Sequence, residues 1–255
     1  MDAHCHLQDA AFDRDRDAVL ARAVVAGIER ILVPGYDLDS SRAAVALARE
    51  HPQLLSAAVG IHPHHAAAAT EADWVKLERL ASDPSVVAVG EIGLDFFRNL
   101  SPPAVQRTTF ARQLELATRF SVPVLIHDRD AHDEITRSLL AWNGPGMGRV
   151  PGVLHAFSGD AAMAARLVDA GYLVSFALPV AFKSASGPRA AAAQLPPRSF
   201  LVETDSPWLA PGGGGERNEP TTVLRVAAEL ARLRGEPPEE VARQARHAYE
   251  RLVAR

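Results

Sequence analysis

The chain has 255 residues, of which 47% are hydrophobic and 23% charged, a composition that excludes disordered and collagen-like proteins. Its formal net charge is −4, from 27 basic and 31 acidic residues. A protein that binds long duplex DNA through many phosphates usually carries a basic excess. Any contact with nucleic acid is therefore expected at a local pocket and not along a whole face.

The single cysteine and the N-terminal residues indicate the cellular compartment. Cys5 has no partner for an intrachain disulfide, so the chain carries no mark of an oxidising compartment. The N-terminal residues lack the basic and apolar regions of a signal peptide, and no apolar run reaches the roughly 18 residues of a membrane span. We expect a cytoplasmic monomer without membrane contact, and no protein partner is readable from the sequence.

Short apolar runs rich in β-branched residues alternate with stretches whose apolar residues recur every three or four positions. The predicted strands are residues 1–3, 31–33, 54–61, 86–89, 122–126, 152–154, 172–176 and 200–202. The predicted helices are residues 16–26, 40–49, 72–81, 104–118, 131–142 and 161–170, and residues 221–233 and 238–253 close the chain as two further helices.

This alternation predicts an α/β fold with a parallel sheet. The strands are apolar throughout, as expected when both faces of a sheet are buried. Eight such units in about 250 residues predict a single domain over residues 1–255, a (β/α)8 TIM barrel with extra C-terminal helices. A doubly wound open sheet is the alternative, but the glycine-rich phosphate loop that it needs is absent. Residues 212–215, four consecutive glycines, predict a flexible loop.

Six residues that can bind metal ions lie at the C-terminal ends of predicted strands: His4, His6, Glu91, His127, His155 and Asp205. In a barrel these strand ends converge on one mouth. Four imidazoles and two carboxylates suit Zn²⁺, Mn²⁺, Fe or Co better than Ca²⁺. Six ligands exceed the need of one catalytic ion, so two ions bridged by Glu91 is the preferred interpretation. Structural histidines and a helix-capping carboxylate are the alternative interpretation.

The segments DAHCHL, GIHPHH, GEIGLDFFR, PVLIHDRDA, HAFSGD, ETDSPWLAP and RNEP follow one another along the chain. In this order and spacing, the whole chain resembles the TatD family of metal-dependent hydrolases, which have a TIM-barrel fold within the amidohydrolase-like superfamily. The resemblance implies two metal sites that share Glu91 as a bridge: His4, His6 and Asp205 for one ion, and His127 and His155 for the other.

The resemblance also implies residues around the metal ions. His62 and His64 resemble family residues that line the substrate side of the pocket. Glu203 resembles a further acidic residue near the metal ions, which is either catalytic or a ligand of an additional ion. With Glu91 and Asp205, Glu203 completes the set of predicted catalytic carboxylates.

Four basic residues near the same strand ends are candidates for phosphate binding. Arg98 follows GLDFF, and for it a surface ion pair is the alternative. Arg129 lies two residues after His127, Lys183 follows the seventh predicted strand, and Arg217 begins the RNEP segment. Arginine suits bidentate phosphate recognition, and lysine suits a point-charge contact. For Arg217 the alternative is a structural role, in which it orients Glu219 and holds the loop.

Two departures from the family pattern affect the expected structure. Family members carry apolar residues before the D-x-H-x-H motif, whereas here the motif begins at Asp2, so the first strand is expected to pair weakly. Ala177 and Leu178 occupy a turn that usually contains glycine, and their bulk is expected to reshape the pocket and its substrate preference.

Resemblance to TatD deoxyribonucleases implies a 3′–5′ exodeoxyribonuclease that acts at the DNA 3′ end of single-stranded or frayed substrates. Two divalent ions, Mg²⁺, Mn²⁺ or Zn²⁺, would hold a bridging hydroxide for attack on phosphorus, and Asp205 would orient it and accept its proton. Arg129 or Lys183 would stabilise charge on the phosphoryl oxygens. Phe96, Phe97 and Trp208 are candidates for base stacking, with packing beneath the loops as the alternative.

Two other functions remain open at this point. The same ligand set could activate water toward a carbonyl carbon, which would make the protein an ester, lactone, amide or aminoacyl-ester hydrolase with an anionic substrate. The second alternative is a barrel that binds metal or nucleic acid without catalysis. Such a protein is expected to have lost a ligand, and all six ligand positions are filled here.

Overall fold

A single parallel sheet organises the molecule. The computed structural model describes residues 1–142, 144–146, 148–212 and 215–254, and in it the strands β1 to β7 follow one another in sequence order. Their bounds are Ile31–Pro34, Leu55–Val59, Val86–Asp95, Val124–Arg129, Gly152–Leu154, Leu173–Phe176 and Phe200–Val202. All six neighbouring pairs are parallel, as the alternation of strands and helices predicts.

Helices cover the outside of this sheet. Helices α1 to α9 are Arg16–Val25, Leu38–Glu50, Glu71–Ala81, Pro103–Phe120, His132–Ala141, Ala161–Asp169, Ser186–Gln194, Val223–Arg234 and Pro238–Val253. Local sequence explains several ends: a capping box joins Asp37 to Ser40 at the start of α2, and α8 ends at Gly235 in the left-handed conformation. The hydrophobic periodicity does not predict α7, because its sequence is mostly alanine after a Gly-Pro pair.

The N-terminal segment, residues 1–6, lies between β1 and β7 and connects the two edges of the sheet. On one side the backbone N–H of Asp2 donates to Arg30 O at 2.9 Å, and Leu32 N donates to Asp2 O at 3.0 Å. On the other side Ala3 N donates to Val202 O at 3.0 Å. The segment pairs through isolated bridges and forms no regular strand, in agreement with the weak pairing that its short sequence predicts. It occupies the eighth strand position of the barrel.

The carboxylate of Asp2 holds this segment in place. It is fully buried and accepts hydrogen bonds from Thr204 N at 3.0 Å and from Thr204 Oγ1 at 2.7 Å. Burial raises the pKa of Asp2 to about 7, because the charged form loses its hydration. The contact joins the first residues of the chain to the loop after β7 and so places His4 and His6 beside Asp205.

The hydrophobic core has two parts. The larger part lies between the sheet and the surrounding helices. The smaller part gathers one residue from the N-terminal segment and one from each strand, together with Val150 before β5 and Ala248, Tyr249 and Leu252 of α9. Because strand residues alternate between faces, this second cluster fills the barrel interior.

The observed strands differ in length from the apolar runs. β3 extends from Val86 to Asp95, six residues beyond the predicted strand, because its polar and glycine-containing second half continues to pair with β4. Glu91 therefore lies within a strand and not after one. Gly213 and Gly214, in the predicted flexible loop, lie outside the described residues. In the described part of the chain, no helix is both long enough and apolar enough to cross a membrane.

Candidate metal centre and substrate cleft

A cleft of about 1400 Å³ opens at the C-terminal ends of the strands. Five of the six predicted ligand residues line it: His6, Glu91, His127, His155 and Asp205. His4, the sixth, is fully buried directly behind them. The structure thus brings together side chains that lie up to 201 positions apart in the sequence, because parallel strands of a barrel end at the same mouth.

One group of donor atoms surrounds Glu91 Oε2. His4 Nε2 lies 3.3 Å and His6 Nε2 lies 3.6 Å from this oxygen. Asp205 Oδ1 lies 3.6 Å from both imidazole nitrogens, which are themselves 2.9 Å apart. Four side chains thus converge on one point: His4 and His6 of the N-terminal segment, Glu91 of β3 and Asp205 after β7.

A second group surrounds the other oxygen of the same carboxylate. Glu91 Oε1 lies 3.0 Å from His127 Nδ1 and 2.9 Å from His155 Nε2. These two nitrogens are 3.3 Å apart. The rings of His4 and His155 stack with centroids 4.1 Å apart, so the two groups are directly adjacent.

These residues fit a binuclear metal centre by their donor chemistry. Two pairs of imidazole nitrogens lie within hydrogen-bond distance of each other, and each pair faces a separate carboxylate oxygen. Neutral imidazole nitrogens repel each other at this distance unless a proton or a cation lies between them. The triad of His4, His6 and Glu91 also satisfies the spacing for a bound ion, with donor atoms within 4.8 Å of one another. Two further triads of the same spacing include a residue outside the predicted ligand set: His4, His155 and Glu203, and His62, Glu91 and His127.

The electrostatics of the site differ between its donors. Burial opposes the charged forms of His127 and His155, but the neighbouring carboxylates raise the pKa of both imidazoles. Glu91 and His6, in contrast, are held in the forms that bind metal ions. Burial disfavours the charged form of Glu91, but the surrounding histidines hold its pKa well below the ordinary value. Burial lowers the pKa of His6 well below its ordinary value, so this imidazole is neutral. Burial also raises the pKa of Asp205 to about 6.

Asp95 contacts two histidines of the cleft and is not among the site residues that the sequence predicts. Its Oδ2 lies 2.7 Å from His64 Nε2 and 3.2 Å from His127 Nε2. Its Oδ1 accepts the backbone N–H groups of Phe97 at 3.1 Å and Arg98 at 2.7 Å. A carboxylate in this position orients the metal-facing imidazole of His127. The sequence could have predicted Asp95, since the two-residue period of a strand places it on the same face as Glu91.

Gly93 permits the close approach of β3 and β4 between these two carboxylates. Its φ is +147°, in the region that favours glycine, and a Cβ there would overlap the carbonyl oxygen of His127. A side chain at this position would push apart the two strands that carry Glu91 and His127.

Glu203 lies behind the cleft, not in its lining. Its fully buried carboxylate accepts hydrogen bonds from Ala156 N at 2.5 Å and from the Ser175 hydroxyl. His155 Nδ1 lies 3.5 Å from Glu203 Oε1, on the ring edge opposite Glu91. The arrangement resembles the carboxylate–histidine pairs that fix the tautomer of a metal-binding imidazole.

His62 faces Glu91, but its hydrogen bonds make it a donor. The backbone N–H of His64 donates to His62 Nδ1 at 3.1 Å, so the ring proton resides on Nε2. That nitrogen lies 3.3 Å from Glu91 Oε1. Burial lowers the pKa of His62 to about 4, so the ring is neutral. His62 therefore presents an N–H group at the cleft, and so does not bring a free nitrogen lone pair to the metal centre. His64 lines the cleft beside it.

The four predicted phosphate contacts lie in different surroundings. Arg98 lines the cleft, and its backbone N–H donates to Asp95 Oδ1 at 2.7 Å. Arg129 lines the cleft, with its guanidinium 4.9 Å from the ring centre of the exposed Phe97. Lys183 is exposed and lies outside the lining of the cleft. Arg217 forms ion pairs with Asp15 at 2.6 Å and with Glu219 at 2.8 Å, beside a separate cavity of about 580 Å³. These contacts correspond to the structural alternative for Arg217.

The predicted stacking residues and the altered turn lie partly in the cleft and partly in the core. Trp208 is 46% exposed and lines both cavities, whereas Phe96 is half-buried against the core. Ala177 lines the large cleft, and the buried Leu178 lines the smaller cavity. Both residues of the altered turn therefore border a cavity, as expected from their position after β6.

Comparison with known proteins identifies the family. A model of TatD related DNase matches residues 1–254. A Mycobacterium tuberculosis protein, "Uncharacterized metal-dependent hydrolase TatD", is 40% identical over 98% of this chain and 97% of its own. The "3'-5' ssDNA/RNA exonuclease TatD" of Erwinia billingiae is 36% identical over 95% of this chain and 94% of its own.

Solved structures support the same assignment. The crystal structure of YjjV, a TatD homologue from Escherichia coli, superimposes with a TM-score of 0.92 at 34% identity and covers 99% of this chain and 96% of its own. This similarity extends over the N-terminal segment, the sheet and the terminal helices, so it agrees with the TIM-barrel-like fold. The chain therefore belongs to the TatD family of metal-dependent hydrolases.

Proposed function

We propose that this hydrolase is a 3′–5′ exonuclease that cleaves phosphodiester bonds at the DNA 3′ end of single-stranded or frayed substrates. The observation that carries the proposal is the carboxylate of Glu91, whose two oxygens each face a separate pair of imidazole nitrogens. Paired divalent ions suit in-line displacement at phosphorus, because they stabilise the attacking and the leaving oxygen. The exonuclease name of the Erwinia billingiae relative supports this substrate class.

The proposed ligand sets follow the two groups around Glu91: His4, His6 and Asp205 for one ion, and His127 and His155 for the other, with Glu91 as the bridge. When bound, Mg²⁺, Mn²⁺ or Zn²⁺ would supply Lewis acidity at the phosphoryl oxygens and lower the pKa of a nearby water. Asp95 and Glu203 orient His127 and His155 from behind.

The other residues of the cleft then have distinct tasks. Asp205 accepts a proton on a carboxylate oxygen, for which a pKa raised to about 6 is better suited than that of an ordinary carboxyl group. His62 donates its Nε2–H group toward the reacting end of the cleft. Arg129 provides positive charge to a phosphate at the cleft wall. A cytoplasmic, monomeric protein is part of the same proposal.

The shape of the site favours a strand end over the middle of a duplex. The donor groups lie in the mouth of the barrel, below the loops that follow the strands, and Glu91 is only 4% exposed. A flexible strand end can enter such a cleft more readily than an intact double helix. The net charge of −4 agrees with local contacts and not with an extended duplex-binding face.

The proposal is tested with a 5′-labelled single-stranded DNA oligonucleotide, incubated with metal-free protein and with added Mg²⁺, Mn²⁺ or Zn²⁺. A metal-dependent ladder that shortens from the 3′ end is expected. Asp205→Asn should abolish it, whereas Asp169→Asn, on the exposed end of α6, should not. An intact oligonucleotide with two metal ions bound per chain would contradict the nuclease assignment and favour an ester or amide substrate.

A further inference from the structure

The cleft continues beyond the donor groups, and its opposite walls differ in chemistry. One wall follows β7, β1 and β2, and the other follows β4, β5 and β6. With the N-terminal segment between β7 and β1, these two sets of strand ends lie across the barrel mouth from each other. The volume of about 1400 Å³ exceeds the 300–1,000 Å³ that is typical of small-molecule pockets, so there is room for more than one nucleotide.

The first wall is the aromatic wall, which consists of Tyr36, His65 and Trp208. Tyr36 and Trp208 flank the ring of His6, with centroids 5.7 Å and 4.6 Å from it. His65 stacks on Tyr36 at 5.4 Å with an interplanar angle of 29°. The Tyr36 hydroxyl makes no hydrogen bond with any residue that the structure describes, and Trp208 is 46% exposed. Tyr36 and His65 are half-buried, and such partly accessible rings next to a reaction centre provide stacking surfaces for a nucleobase.

The second wall, Arg129, His132 and Arg166, is called the basic wall. His132 Nδ1 pairs with Asp128 Oδ2 at 2.9 Å, and this hydrogen bond raises the pKa of His132. Arg166 projects from α6 into the cleft lining, and its guanidinium forms no hydrogen bond or ion pair within the described residues. Its charge is therefore available to an anion.

Two of the three acidic residues that line the cleft on this side are engaged locally, whereas the side chain of the exposed Asp133 pairs with no residue that the structure describes. Asp128 is the partner of His132, and Asp160 caps α6 by accepting the backbone N–H of Met163 at 2.8 Å. Asp130 lies 3.9 Å from Arg129, too far for a strong hydrogen bond. Arg166 and Arg129 thus retain donors for a ligand.

From these two walls we infer that the cleft binds a single strand in one direction across the barrel mouth. The base of the 3′-terminal nucleotide stacks on the aromatic wall, and the phosphates of the upstream nucleotides lie on the basic wall. The reason is the chemistry of a strand end: the terminal nucleoside carries no phosphate on its outer side, whereas each upstream nucleotide carries one. The inference rests on the proposed nuclease function and adds the position of the substrate.

Three substrates test the contribution of each wall separately. A 12-nucleotide single strand engages both walls, thymidine 5′-(p-nitrophenyl phosphate) has the terminal nucleoside without upstream phosphates, and bis(p-nitrophenyl) phosphate has neither. The kcat/KM value of each protein is measured with all three substrates in the presence of the most active metal ion, and the ratios between substrates are compared.

Replacement of the aromatic wall should affect recognition of the nucleoside. Trp208→Leu and Tyr36→Leu are each expected to lower the kcat/KM ratio of the thymidine ester to bis(p-nitrophenyl) phosphate by about fivefold or more. Trp208 is half-exposed, so its replacement tests the wall even if Tyr36→Leu disturbs packing. Ratios equal to those of the wild type in both folded variants would overturn the assignment of the aromatic wall.

Replacement of the basic wall should affect only the longer substrate. Arg166→Gln is expected to lower the kcat/KM ratio of the oligonucleotide to the thymidine ester. It should also reduce the slope of log KM against log salt concentration by about 0.7, the value for one phosphate contact on a single strand. Arg225→Gln, an exposed position on α8 outside both cavities, is the matched control and should change neither quantity.

The outcomes distinguish the inference from the proposed function. If the wild-type protein hydrolyses neither ester nor the oligonucleotide with any metal ion, the proposed nuclease function is refuted. The inferred position of the strand on the two walls is then refuted as well. If it hydrolyses all three and Arg166→Gln behaves like Arg225→Gln, the basic wall is wrong while the nuclease function stands.

Discussion

Asp95→Asn tests how the carboxylates behind the donor groups position the metal-facing histidines. Asp95 is 2% exposed, and its two oxygens serve different partners. Oδ2 lies 3.2 Å from His127 Nε2 and 2.7 Å from His64 Nε2. Oδ1 accepts two backbone N–H groups, from Phe97 and Arg98. We expect the variant to fold and to bind metal ions more weakly.

The magnitude follows from the four hydrogen-bond donors around this side chain. An asparagine has one oxygen, so in either orientation its NH2 group faces donors and leaves them without an acceptor. Hydrogen bonds to a charged group contribute about 1.5–3 kcal/mol each. Replacement of residues that orient metal ligands costs about 10–100-fold in metal affinity, which is about 1.4–2.7 kcal/mol. The free energy of one such hydrogen bond and the free energy of the expected affinity loss agree. We therefore expect metal affinity at the site of His127 to fall by about 10–100-fold.

Calorimetric titration of the metal-free protein with Mn²⁺ or Zn²⁺ measures this effect. The site next to His127 should weaken by that factor, and the site of His4 and His6 should change less. Asp169→Asn is the control for loss of a carboxylate without these contacts, and thermal unfolding shows that each variant is folded. Unchanged affinities at both sites in folded Asp95→Asn would refute the positioning role of Asp95.

Three further predictions concern stability. Gly93→Ala should lower the free energy of unfolding by about 1–3 kcal/mol or more, because its Cβ would overlap the His127 carbonyl at a φ of +147°; a chemical denaturation curve like that of the wild type would contradict this. Arg217→Gln should lower the Tm at pH 7. Arg217 and Arg22 lower the pKa of the half-buried Asp15 from 3.8 to about 2. The stabilisation from these ion pairs is therefore present above pH 4, and the Tm difference should shrink as pH falls from 4 toward 2. A Tm difference that is the same at pH 7 and pH 2.5 would rule out this origin. Removal of metal ions by a chelator should lower the Tm, since a ligand at 100 times its Kd stabilises the folded state by about 2.7 kcal/mol; calorimetric scans with and without added metal ion measure the shift, and identical scans would argue against a metal site in the folded protein.

The sequence alone predicts the barrel and the residues of its candidate metal centre for a local reason. A buried parallel strand requires an uninterrupted apolar run, and a helix requires apolar residues at every third or fourth position, so both can be read within short windows. Once the strands are parallel, their C-terminal ends must meet. His4, His127 and Asp205 can therefore be placed together without coordinates.

The tertiary structure decided features that depend on contacts between distant segments. The weak pairing of the first residues is compensated by Asp2 and Thr204, which are 202 positions apart, and no local pattern encodes that contact. Arg217 was equally suited to a phosphate or to an ion pair until barrel closure brought Asp15 within 2.6 Å. His62 becomes a hydrogen-bond donor because the backbone of the next turn occupies its Nδ1. Residue types determine which chemistry is available, but the hydrogen-bond partner of each atom depends on the closed barrel.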